Sequence, residues 1–400
     1  MKVALFHNLY QIRGGEERMY QLEEQALRAC GHDVVRYEID NRKLFANDSF
    51  TTKFKTAINA PYNKTAAQST LSFLEREQPD VGHIHNWFPL FSPAIYTVHR
   101  SLGIPVVQSL HNYRLGCASA NYHRNGQECT LCSPHNNLPA LRHRCYKNSL
   151  TGTYTWKRVM DRNWKNGTFT SLVDHYICPS LEVYRRHAQM GLPESKMSVI
   201  HNASPDPLEL NNKAETANHC EILSIGRLVR EKGTHILIEA WKRLPSTITK
   251  NARLKIIGTG PESSHLHAQS AGFDNIVFAG ELSREETLQS LLQASLLVFP
   301  TLWAEPFGLN VIEAMSTNTP VIASDIGGPA ELLKDRRCGC LIPPNNIDAL
   351  RHALEGMLSQ PQQLIEMGLN GRTCYEQNFT PKTHAERLIQ CYKKLCKATS

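Results

Sequence analysis

Short β-rich runs alternate with helical segments along the whole chain, and this alternation limits the fold more than any other feature. The runs of the first half are KVALFHN (Lys2–Asn8), HDVVRYEI (His32–Ile39), VGHIHN (Val81–Asn86), PVVQSLHN (Pro105–Asn112), HYICPS (His175–Ser180) and SVIHN (Ser198–Asn202). Those of the second half are EILSIGRL (Glu221–Leu228), RLKIIGTG (Arg253–Gly260), NIVFAG (Asn275–Gly280), SLLVFPTL (Ser295–Leu302), PVIASDIGG (Pro320–Gly328) and GCLIPP (Gly339–Pro344). Strands that alternate with helices predict an α/β protein with parallel sheets and right-handed crossovers.

Two domains are predicted, each a doubly wound α/β sheet, because 400 residues exceed what one hydrophobic core usually serves. The join is predicted at Ser204–His219, a polar segment that contains two prolines. We assign residues 1–205 to the first domain, residues 206–380 to the second, and residues 381–400 to a C-terminal helix that packs back on the first domain. The C-terminal ends of both sets of strands are expected to face a cleft, where doubly wound sheets bind ligands.

The overall charge favours anionic partners. The formal net charge is +7 and the pI is about 8.8, which suits nucleotide phosphates, acidic lipids or nucleic acid without choosing among them. No run approaches the ~18 apolar residues of a membrane span. The opening MKVALFHNLY is typical of a first strand and not of a signal peptide. We therefore predict a cytoplasmic protein whose 12 cysteines are thiols or metal ligands rather than disulfides.

The segment EPFGLNVIEAM, residues 305–315, places two carboxylates around the start of a predicted helix. Glu305 follows a buried strand, Gly308 permits close approach to the backbone, and LNVIEAMS is predicted to be helical. The free N–H groups and the positive dipole end of that helix suit a phosphate. Because a helix rises ~1.5 Å per residue, Glu313 lies further along. Carboxylates only accept hydrogen bonds, so the two acids could hold hydroxyls at the two ends of a nucleotide-sugar.

The segment GRLVREKG, Gly226–Gly233, supplies two cations after a predicted strand. Arg227 and Lys232 could neutralise a diphosphate leaving group, although a bare pair of cations is equally typical of a solvated basic loop. The sequence contains no D-x-D motif, so the usual acidic anchor for a metal–diphosphate pair is missing.

A pair of glycines, Gly14 and Gly15, follows the first predicted strand within IRGGEERM, Ile12–Met19. It is predicted to open a helix and could admit a donor ligand against backbone N–H groups, although a plain tight turn explains the pair equally well. It is not the G-x-G-x-x-G dinucleotide fingerprint, which counts against a dehydrogenase.

Four segments together resemble the retaining GT-B glycosyltransferases of glycosyltransferase family 4. They are GGEER, GRLVREKG, EPFGLNVIEAM and SDIGGPAELL, and they occur in the family's order over nearly the full length. The resemblance implies two Rossmann-like domains facing a cleft. It also implies transfer of a hexosyl-type sugar from a nucleotide-sugar to an acceptor hydroxyl with retention of configuration, as in bacterial cell-surface polysaccharide biosynthesis. No metal would be required, because the leaving diphosphate itself would take the acceptor proton.

The resemblance also assigns roles to individual residues. Glu305 would hold donor sugar hydroxyls and Glu313 the ribose hydroxyls, while Arg227 and Lys232 would bind the diphosphate. His111, at the end of a predicted strand, would orient the donor sugar. The backbone would contact the donor at Phe307, Gly308 and Leu309.

The sequence departs from the family pattern in two places. Ala203 follows Asn202 where many relatives have Asn-Gly, which puts in doubt any backbone contact that needs glycine there. Pro306 replaces a more frequent glycine. Two other functions remain open at this point: a non-hydrolysing sugar-nucleotide epimerase, and a non-catalytic sugar-nucleotide-binding subunit. The intact set of four charged residues argues against the second.

A cysteine-containing loop, residues 117–146, interrupts the first domain. Cys129 and Cys132 form a C-x-x-C, and Cys117 and Cys145 flank it. Four cysteines could close a tetrahedral structural zinc site, and four free thiols are an equal alternative, with disulfides behind both. Substitute ligands are His123, His135 and His143. The loop follows His111, so we expect it to shape the acceptor site.

The stretch Ala140–Met190 is basic, with nine Lys or Arg residues against three acids. The interleaved aromatic residues are Tyr154, Trp156, Trp164 and Phe169. This mixture suits a surface that rests on the anionic inner face of the cytoplasmic membrane, where a lipid-linked acceptor would be found, and a solvated helix face explains it nearly as well. No nucleic-acid recognition motif accompanies it. The predicted partners are thus a nucleotide-sugar donor, a glycan or lipid-linked acceptor and an anionic membrane surface, but no nucleic acid.

Overall fold

The computed structural model describes residues 1–9, 14–41, 50–207 and 220–399. The chain divides into two compact units. The first unit contains Met1–Tyr122, Cys129–Asn202 and Pro381–Ser400, and the second contains His123–Glu128 and Ala203–Thr380. Residues 208–219 of the predicted join and residues 12–13 of the glycine segment lie outside the described residues.

Every β-rich run predicted from the sequence contains a strand. The strands are β1 (Lys2–Leu9), β2 (Asp33–Asp40), β3 (Val81–Asn86), β4 (Val106–Ser109), β5 (His123–Arg124), β6 (Gln127–Glu128), β7 (His175–Cys178), β8 (Met197–Val199), β9 (Cys220–Ile225), β10 (Ala252–Ile257), β11 (Ile276–Gly280), β12 (Leu296–Phe299), β13 (Val321–Ser324) and β14 (Gly339–Ile342). The short hairpin β5–β6 was not predicted. Its turn is Asn125-Gly126, both with positive φ, and Asn-Gly is a hairpin signal that the sequence does carry.

The α-helices separate these strands. They are α1 (Gly15–Ala29), α2 (Phe50–Asn59), α3 (Lys64–Glu77), α4 (Ala94–Ser101), α5 (Leu138–Arg142), α6 (Leu150–Lys165), α7 (Thr168–Ser171), α8 (Leu181–Gln189), α9 (Thr234–Lys242), α10 (Ser246–Thr249), α11 (Ser263–Gln269), α12 (Arg284–Gln293), α13 (Leu309–Ser316), α14 (Gly327–Leu333), α15 (Ile347–Leu358), α16 (Pro361–Asn378) and α17 (Pro381–Thr399).

Both large sheets are parallel and doubly wound. The first has the strand order β2-β1-β3-β4-β7-β8, and the second has the order β11-β10-β9-β12-β13-β14. In the first sheet the chain changes direction between β1 and β3, and in the second between β9 and β12. Ligands of doubly wound sheets bind at such switch points, beyond the carboxyl ends of the strands. The fold therefore directs attention to the loops after β1, β3, β9 and β12.

The second sheet is covered on both faces, which explains its continuous apolar runs. Along β12, Leu296 and Val298 belong to the core on one face, whereas Leu297 and Phe299 belong to the core on the other. Successive side chains of a strand point to opposite faces, so a strand buried on both sides is apolar at every position. All four residues of β12 are accordingly buried.

The C-terminal helix α17 belongs to the first unit. Its residues Ala385, Leu388 and Tyr392 pack in one core with Tyr20 and Leu27 of α1. The chain thus returns from the second unit and covers one face of the first sheet. Among the helices that the structure describes, none is both long and apolar enough to cross a bilayer.

Candidate active site

The switch point of the second unit joins an acid and a cation. Lys232 ends the short 3-10 turn after β9, and Glu305 follows β12. Lys232 Nζ lies 2.7 Å from Glu305 Oε1 and also lies over the Phe299 ring at 5.3 Å from its centroid. Glu305 is only 7% exposed, and a carboxylate this buried needs such a partner. The sequence predicted both residues for one site, and the structure brings them into direct contact.

Two glycines fix the backbone on which Glu305 sits. A Cβ at Gly327 would lie 2.7 Å from the Glu305 nitrogen, and a Cβ at Gly328 would lie 2.5 Å from the Phe307 Cα. The Gly328 nitrogen also donates to the Glu305 carbonyl oxygen at 2.8 Å. These glycines begin α14, inside the segment SDIGGPAELL. The sequence marked that segment only as a match to the family, and its packing role became visible only in the structure.

Helix α13 begins with its N-terminal end free of a side-chain cap. Gly308 occupies the N-cap position with φ of 107°, in the left-handed region that favours glycine. The Phe307 side chain packs into the core against Phe379, so only its backbone remains for a ligand. Asn310 Nδ2 donates to the Ile225 carbonyl oxygen at 2.8 Å and thereby ties the start of α13, beside Leu309, to the end of β9. The N–H groups of the first turn could therefore accept an anion at the switch point.

The second acid, Glu313, has a cationic partner of its own. It lies within α13, is 3% exposed, and its Oε1 lies 3.3 Å from a terminal nitrogen of Arg284, the first residue of α12. No sequence pattern indicated Arg284 as a partner, because the two residues belong to different helices. Glu313 and Glu305 thus belong to two different ion pairs, one with Arg284 and the other with Lys232. This fits two distinct roles for the two carboxylates.

Arg227 differs from the other charged residues of the site. It is exposed and makes no ion pair with any residue that the structure describes. The preceding residue, Gly226, lines a small cavity at the ends of β9 and β12 together with Ser224, Lys232 and Phe299 among others. An exposed arginine directly after a residue of this cavity, and a lysine in its lining, suit an anionic ligand.

In the first unit His111 follows β4 and lies beside a second cavity. The cavity measures about 40 Å³, and its lining includes Trp87, Ser109, His111 and Arg114. His111 Nε2 lies 3.0 Å from His85 Nδ1, and the two rings are stacked at 13°. Burial, followed by the neighbouring His85, lowers the pKa of His111 to about 3. His111 is therefore a neutral imidazole at physiological pH.

Of the glycine pair after β1, Gly14 does not require glycine for space. Gly14 is the N-cap of α1 in an extended conformation, and a Cβ there would meet nothing within 4 Å. Glu16 and Glu17 occupy the first turn of α1, beyond Gly15, and Asn112 Nδ2 donates to Glu16 at 3.3 Å. These acids complement the positive end of the helix, and donor binding at Gly14 and Gly15 stays a prediction.

A buried cluster around Glu23 escaped the sequence analysis entirely. Within the described ranges, the one group of three potential metal ligands with all donor atoms within 4.8 Å of one another is Glu23, His83 and His85. Hydrogen bonds account for much of this group without a metal. The Tyr392 hydroxyl lies 2.6 Å from His83 Nδ1, and His384 Nε2 lies 3.1 Å from Glu23 Oε1.

The four loop cysteines gather around Cys132 without closing a metal site. All four are half-buried, and among the described residues none of them forms a disulfide. Burial raises the pKa of the Cys132 thiol to about 11, and Cys117, Cys145 and Cys129 are near enough to raise it further. Their donor set matches structural zinc, but the sulfurs do not form a group at metal-binding distances within the described chain. Zinc binding would require the loop to contract. The loop is not without a core, because Ala118, Ala120, Tyr122 and Ala140 are buried.

The basic stretch presents fewer aromatic residues than its sequence indicates. Trp156 and Phe169 are fully buried, and Trp164 donates from Nε1 to the Leu115 carbonyl oxygen. Only Tyr154 of the four aromatic residues is exposed, at 55%. Along α6 it forms an exposed stripe together with Leu150, Arg158 and Arg162, at successive four-residue intervals.

Solved structures share the fold. HepE of Anabaena in complex with UDP matches with a TM-score of 0.69 and 16% identity over 98% of this chain and 100% of that chain. WaaG, a glycosyltransferase involved in lipopolysaccharide biosynthesis, matches with a TM-score of 0.62 and 17% identity over 96% and 99%. Likenesses at such low identity establish the fold. The two Rossmann-like halves form the GT-B fold.

Two family models match the chain, one on each half. The model Glycosyltransferase Family 4 matches residues 12–204, and the model Glycosyl transferases group 1 matches residues 209–373. Together they cover nearly the full length and both sheets. The chain belongs to glycosyltransferase family 4, which confirms the family expected from the sequence segments.

Relatives of known name match parts of the chain. O-antigen chain mannosyltransferase C of Escherichia coli is 28% identical over 204 residues, which is 50% of this chain and 53% of the relative. D-rhamnosyltransferase WbpZ of Pseudomonas aeruginosa is 33% identical over 162 residues, which is 40% of this chain and 41% of the relative. The chain thus matches about half the length of these relatives.

Proposed function

We propose that this protein is a glycosyltransferase that transfers a hexosyl-type sugar from a nucleotide-sugar to an acceptor hydroxyl. The carrying observation is the contact of Lys232 with Glu305 at the switch point of the second sheet. The two charges neutralise each other in this contact. A bound nucleotide-sugar gives each a better partner, because the ammonium suits a phosphate and the carboxylate suits sugar hydroxyls. The complexes of HepE with UDP and with UDP-glucose support a nucleotide-sugar as the donor.

The reaction proposed here retains the anomeric configuration and needs no divalent metal. Glu305 and Glu313 are both assigned to binding hydroxyls, Glu305 of the sugar and Glu313 of the ribose, so the proposed mechanism uses neither as a nucleophile. Lys232 and Arg227 would stabilise the departing diphosphate in the place of a metal ion, and the sequence has no D-x-D to hold such an ion. The leaving diphosphate then takes the proton of the acceptor hydroxyl as the glycosidic bond forms on the same face.

A lipid-linked glycan in cell-surface polysaccharide biosynthesis is the proposed acceptor. The exposed stripe of α6 supports contact with an anionic membrane surface, because Leu150 and Tyr154 could enter the headgroup region while Arg158 and Arg162 contact acidic lipids. The mannosyltransferase and rhamnosyltransferase relatives support a polysaccharide product.

Purified protein incubated with a panel of nucleotide-sugars tests this function. The panel includes UDP-glucose and GDP-mannose, each with and without a detergent extract of bacterial membranes. We expect release of nucleoside diphosphate that depends on the extract, with the sugar recovered in the lipid fraction. The anomeric proton coupling of the product reports retention. Lys232→Ala protein is the matched control, because it loses the cation of the carrying contact.

Two outcomes would overturn the proposed function, and a third would overturn the proposed mechanism alone. Conversion of a nucleotide-sugar into its epimer without any acceptor indicates the epimerase. Binding of a donor with no turnover in the presence of extract indicates a binding subunit. Inversion of the anomeric configuration contradicts the proposed mechanism while leaving glycosyl transfer intact.

A further inference from the structure

Glu23 is a carboxylate in the centre of the first unit that the proposed chemistry does not use. It lies on α1 and is 1% exposed. Its Oε2 lies 3.2 Å from His85 Nε2 and 3.4 Å from His83 Nδ1, both on β3. Burial alone would raise the pKa of Glu23, but His85, His384 and His83 outweigh burial and hold that pKa well below its usual value. Glu23 is therefore ionised and can only accept hydrogen bonds.

The C-terminal helix supplies a further partner of Glu23. His384 Nδ1 lies 2.7 Å from the His201 carbonyl oxygen, and His384 Nε2 lies 3.1 Å from Glu23 Oε1. His384 thus occupies Oε1 of Glu23, which leaves Oε2 for the two histidines of β3.

His85 connects Glu23 to His111. Its Nε2 lies 3.2 Å from Glu23 Oε2, and neither of these two buried atoms has an aligned hydrogen bond within the described chain. Buried polar atoms need partners, and each of the two is in reach of the other. Because a carboxylate only accepts, a proton between them lies on His85 Nε2, and in the neutral ring that single N–H leaves His85 Nδ1 as an acceptor. His111 Nε2, at 3.0 Å from that nitrogen, must donate.

This order of hydrogen bonds determines which nitrogen of His111 can bind a ligand. With its proton on Nε2, neutral His111 has an unprotonated Nδ1 that can only accept. A ligand group at that nitrogen must be a donor, such as a sugar hydroxyl, and a sugar that lacks a hydroxyl at that position would lose the contact. In many sites a carboxylate contacts a functional histidine directly and sets its tautomer. Here a second imidazole, that of His85, lies between the carboxylate and the histidine.

We propose that Glu23 holds His85 as the neutral Nε2–H tautomer and through it fixes His111 as the Nε2–H tautomer, so that the Nδ1 of His111 accepts a hydrogen bond from a hydroxyl of the donor sugar. Glu23 and His85 are positioning residues and His111 is the residue that contacts the ligand. The identity of the ligand rests on the proposed function, whereas the tautomer does not.

Nitrogen NMR measures the tautomer directly, without any substrate. Long-range proton–nitrogen correlation spectra of the full chain labelled with ¹⁵N-histidine distinguish the two neutral tautomers, and the signal missing from a His111→Asn spectrum assigns the residue. We expect His111 of the wild type to be protonated at Nε2. His85→Phe keeps a stacked ring but removes the acceptor, so it should give His111 a mixture of tautomers. Glu23→Ala should do the same.

His83 provides a matched control on the same strand. It contacts Glu23 Oε2 as His85 does, but it makes no hydrogen bond to His111. His83→Phe should leave the His111 tautomer unchanged. If Glu23→Ala does not fold, the comparison of His85→Phe with His83→Phe still tests whether His85 determines the His111 tautomer. Protonation of His111 at Nδ1 in the wild type, or equal effects of the two phenylalanine variants, would overturn the inference.

Kinetics then tests the consequence for the donor. His85→Phe should lower kcat/KM for the donor about tenfold, the typical effect of one hydrogen bond, and should add nothing to the loss caused by His111→Phe. Additive losses would contradict action through His111. A stoichiometric metal that is removed by chelators with a change in the His83 and His85 signals would also refute the relay. A wild type with the expected tautomer but without transferase activity would refute the proposed function alone.

Discussion

At the scale of single residues, most charged side chains of the site form ion pairs. Lys232 is held by Glu305 and Glu313 by Arg284, while Arg227 is exposed. A charge that is already paired in the free protein can exchange its partner for a ligand without a large change in desolvation. These pairs therefore predict distinct kinetic effects for the two acids.

Glu305→Ala should mainly lower kcat, and Glu313→Ala should mainly raise the donor KM. A contact to the transferred sugar strengthens in the transition state, whereas a grip on the ribose affects ground and transition states alike. Steady-state kinetics with the donor found in the panel measures the difference. Arg284→Ala is the control, since it breaks the ion pair of Glu313 but leaves the carboxylate, and it should raise KM less than Glu313→Ala. Identical losses in both acid variants would contradict this division.

Arg227→Ala and Lys232→Ala should each reduce kcat by roughly a hundredfold or more, the typical effect of removing one preorganised group that stabilises developing charge. Arg227→Lys should restore only part of the rate, because an ammonium lacks the planar fork of a guanidinium. Activity should survive brief treatment with EDTA. Abolition by EDTA with recovery in magnesium or manganese would count against the role of these cations, as would a double variant with near-normal turnover.

At the scale of elements, α14 fixes the position of the loop that follows β12. The approach of Gly328 to Phe307 leaves no space for a side chain, so the loop and the helix can only pack as a unit. The glycines of α14 therefore matter for the geometry at Glu305 although they contact no ligand in the proposed mechanism.

Gly328→Ala should destabilise the second unit by about 1–3 kcal/mol, the usual cost of overpacking, and should lower kcat as well. Gly356→Ala is the matched control. Gly356 is also helical, lies in α15, and has nothing within 4 Å of its added Cβ, so the substitution should stabilise the protein by up to about 1 kcal/mol. Urea unfolding monitored by circular dichroism gives both values. A Gly328→Ala protein that is more stable than the wild type would contradict the prediction, because it would show that the loop at Phe307 can move to accommodate the added methyl group.

The cysteine loop is a second element whose state is open to measurement. If the loop contracts around a zinc ion bound by Cys117, Cys129, Cys132 and Cys145, protein purified without added zinc should contain about one equivalent of zinc. Elemental analysis of the wild type and of Cys132→Ser tests this, with Cys30→Ser as a control outside the loop. Absence of zinc, together with alkylation of all four thiols in the native state, would refute the site.

At the scale of the whole molecule, the two units differ in their buried histidines. In the first unit burial lowers the pKa of His99 and of His187 to about 4 and the pKa of His7 to about 3. In the second unit, within the described residues, burial shifts one histidine, His235, whose pKa is lowered. The units should therefore respond differently to acid.

The first unit should lose stability before the second as the pH falls from about 6.5 to 4. An unfolded histidine titrates near 6.5, so in this range the unfolded state binds protons that the folded state refuses. Each such histidine then removes about 1.4 kcal/mol of stability per pH unit. Hydrogen exchange followed by mass spectrometry, corrected for intrinsic rates, should show loss of protection first in peptides from residues 50–202. Earlier loss in residues 220–380 would contradict the prediction.

The sequence by itself determined the strands and the two-sheet architecture, because those depend on local patterns. Each apolar run, such as that of β12, contains its own evidence of burial on both faces, and the helix after Glu305 follows from the few residues around it. Lys232 and Glu305 were also predictable, because both follow strands whose carboxyl ends meet at one edge of a parallel sheet.

Only the tertiary structure decided which charged groups meet. Arg284 and Glu313 lie on different helices, and His384 reaches Glu23 across almost the entire chain. No local periodicity encodes such a contact, since it depends on how helices pack on the sheet. The histidines of β3 read as strand residues in the sequence. Their role arises only when α1 and α17 cover that face of the first sheet, because burial then requires every polar atom to find a partner.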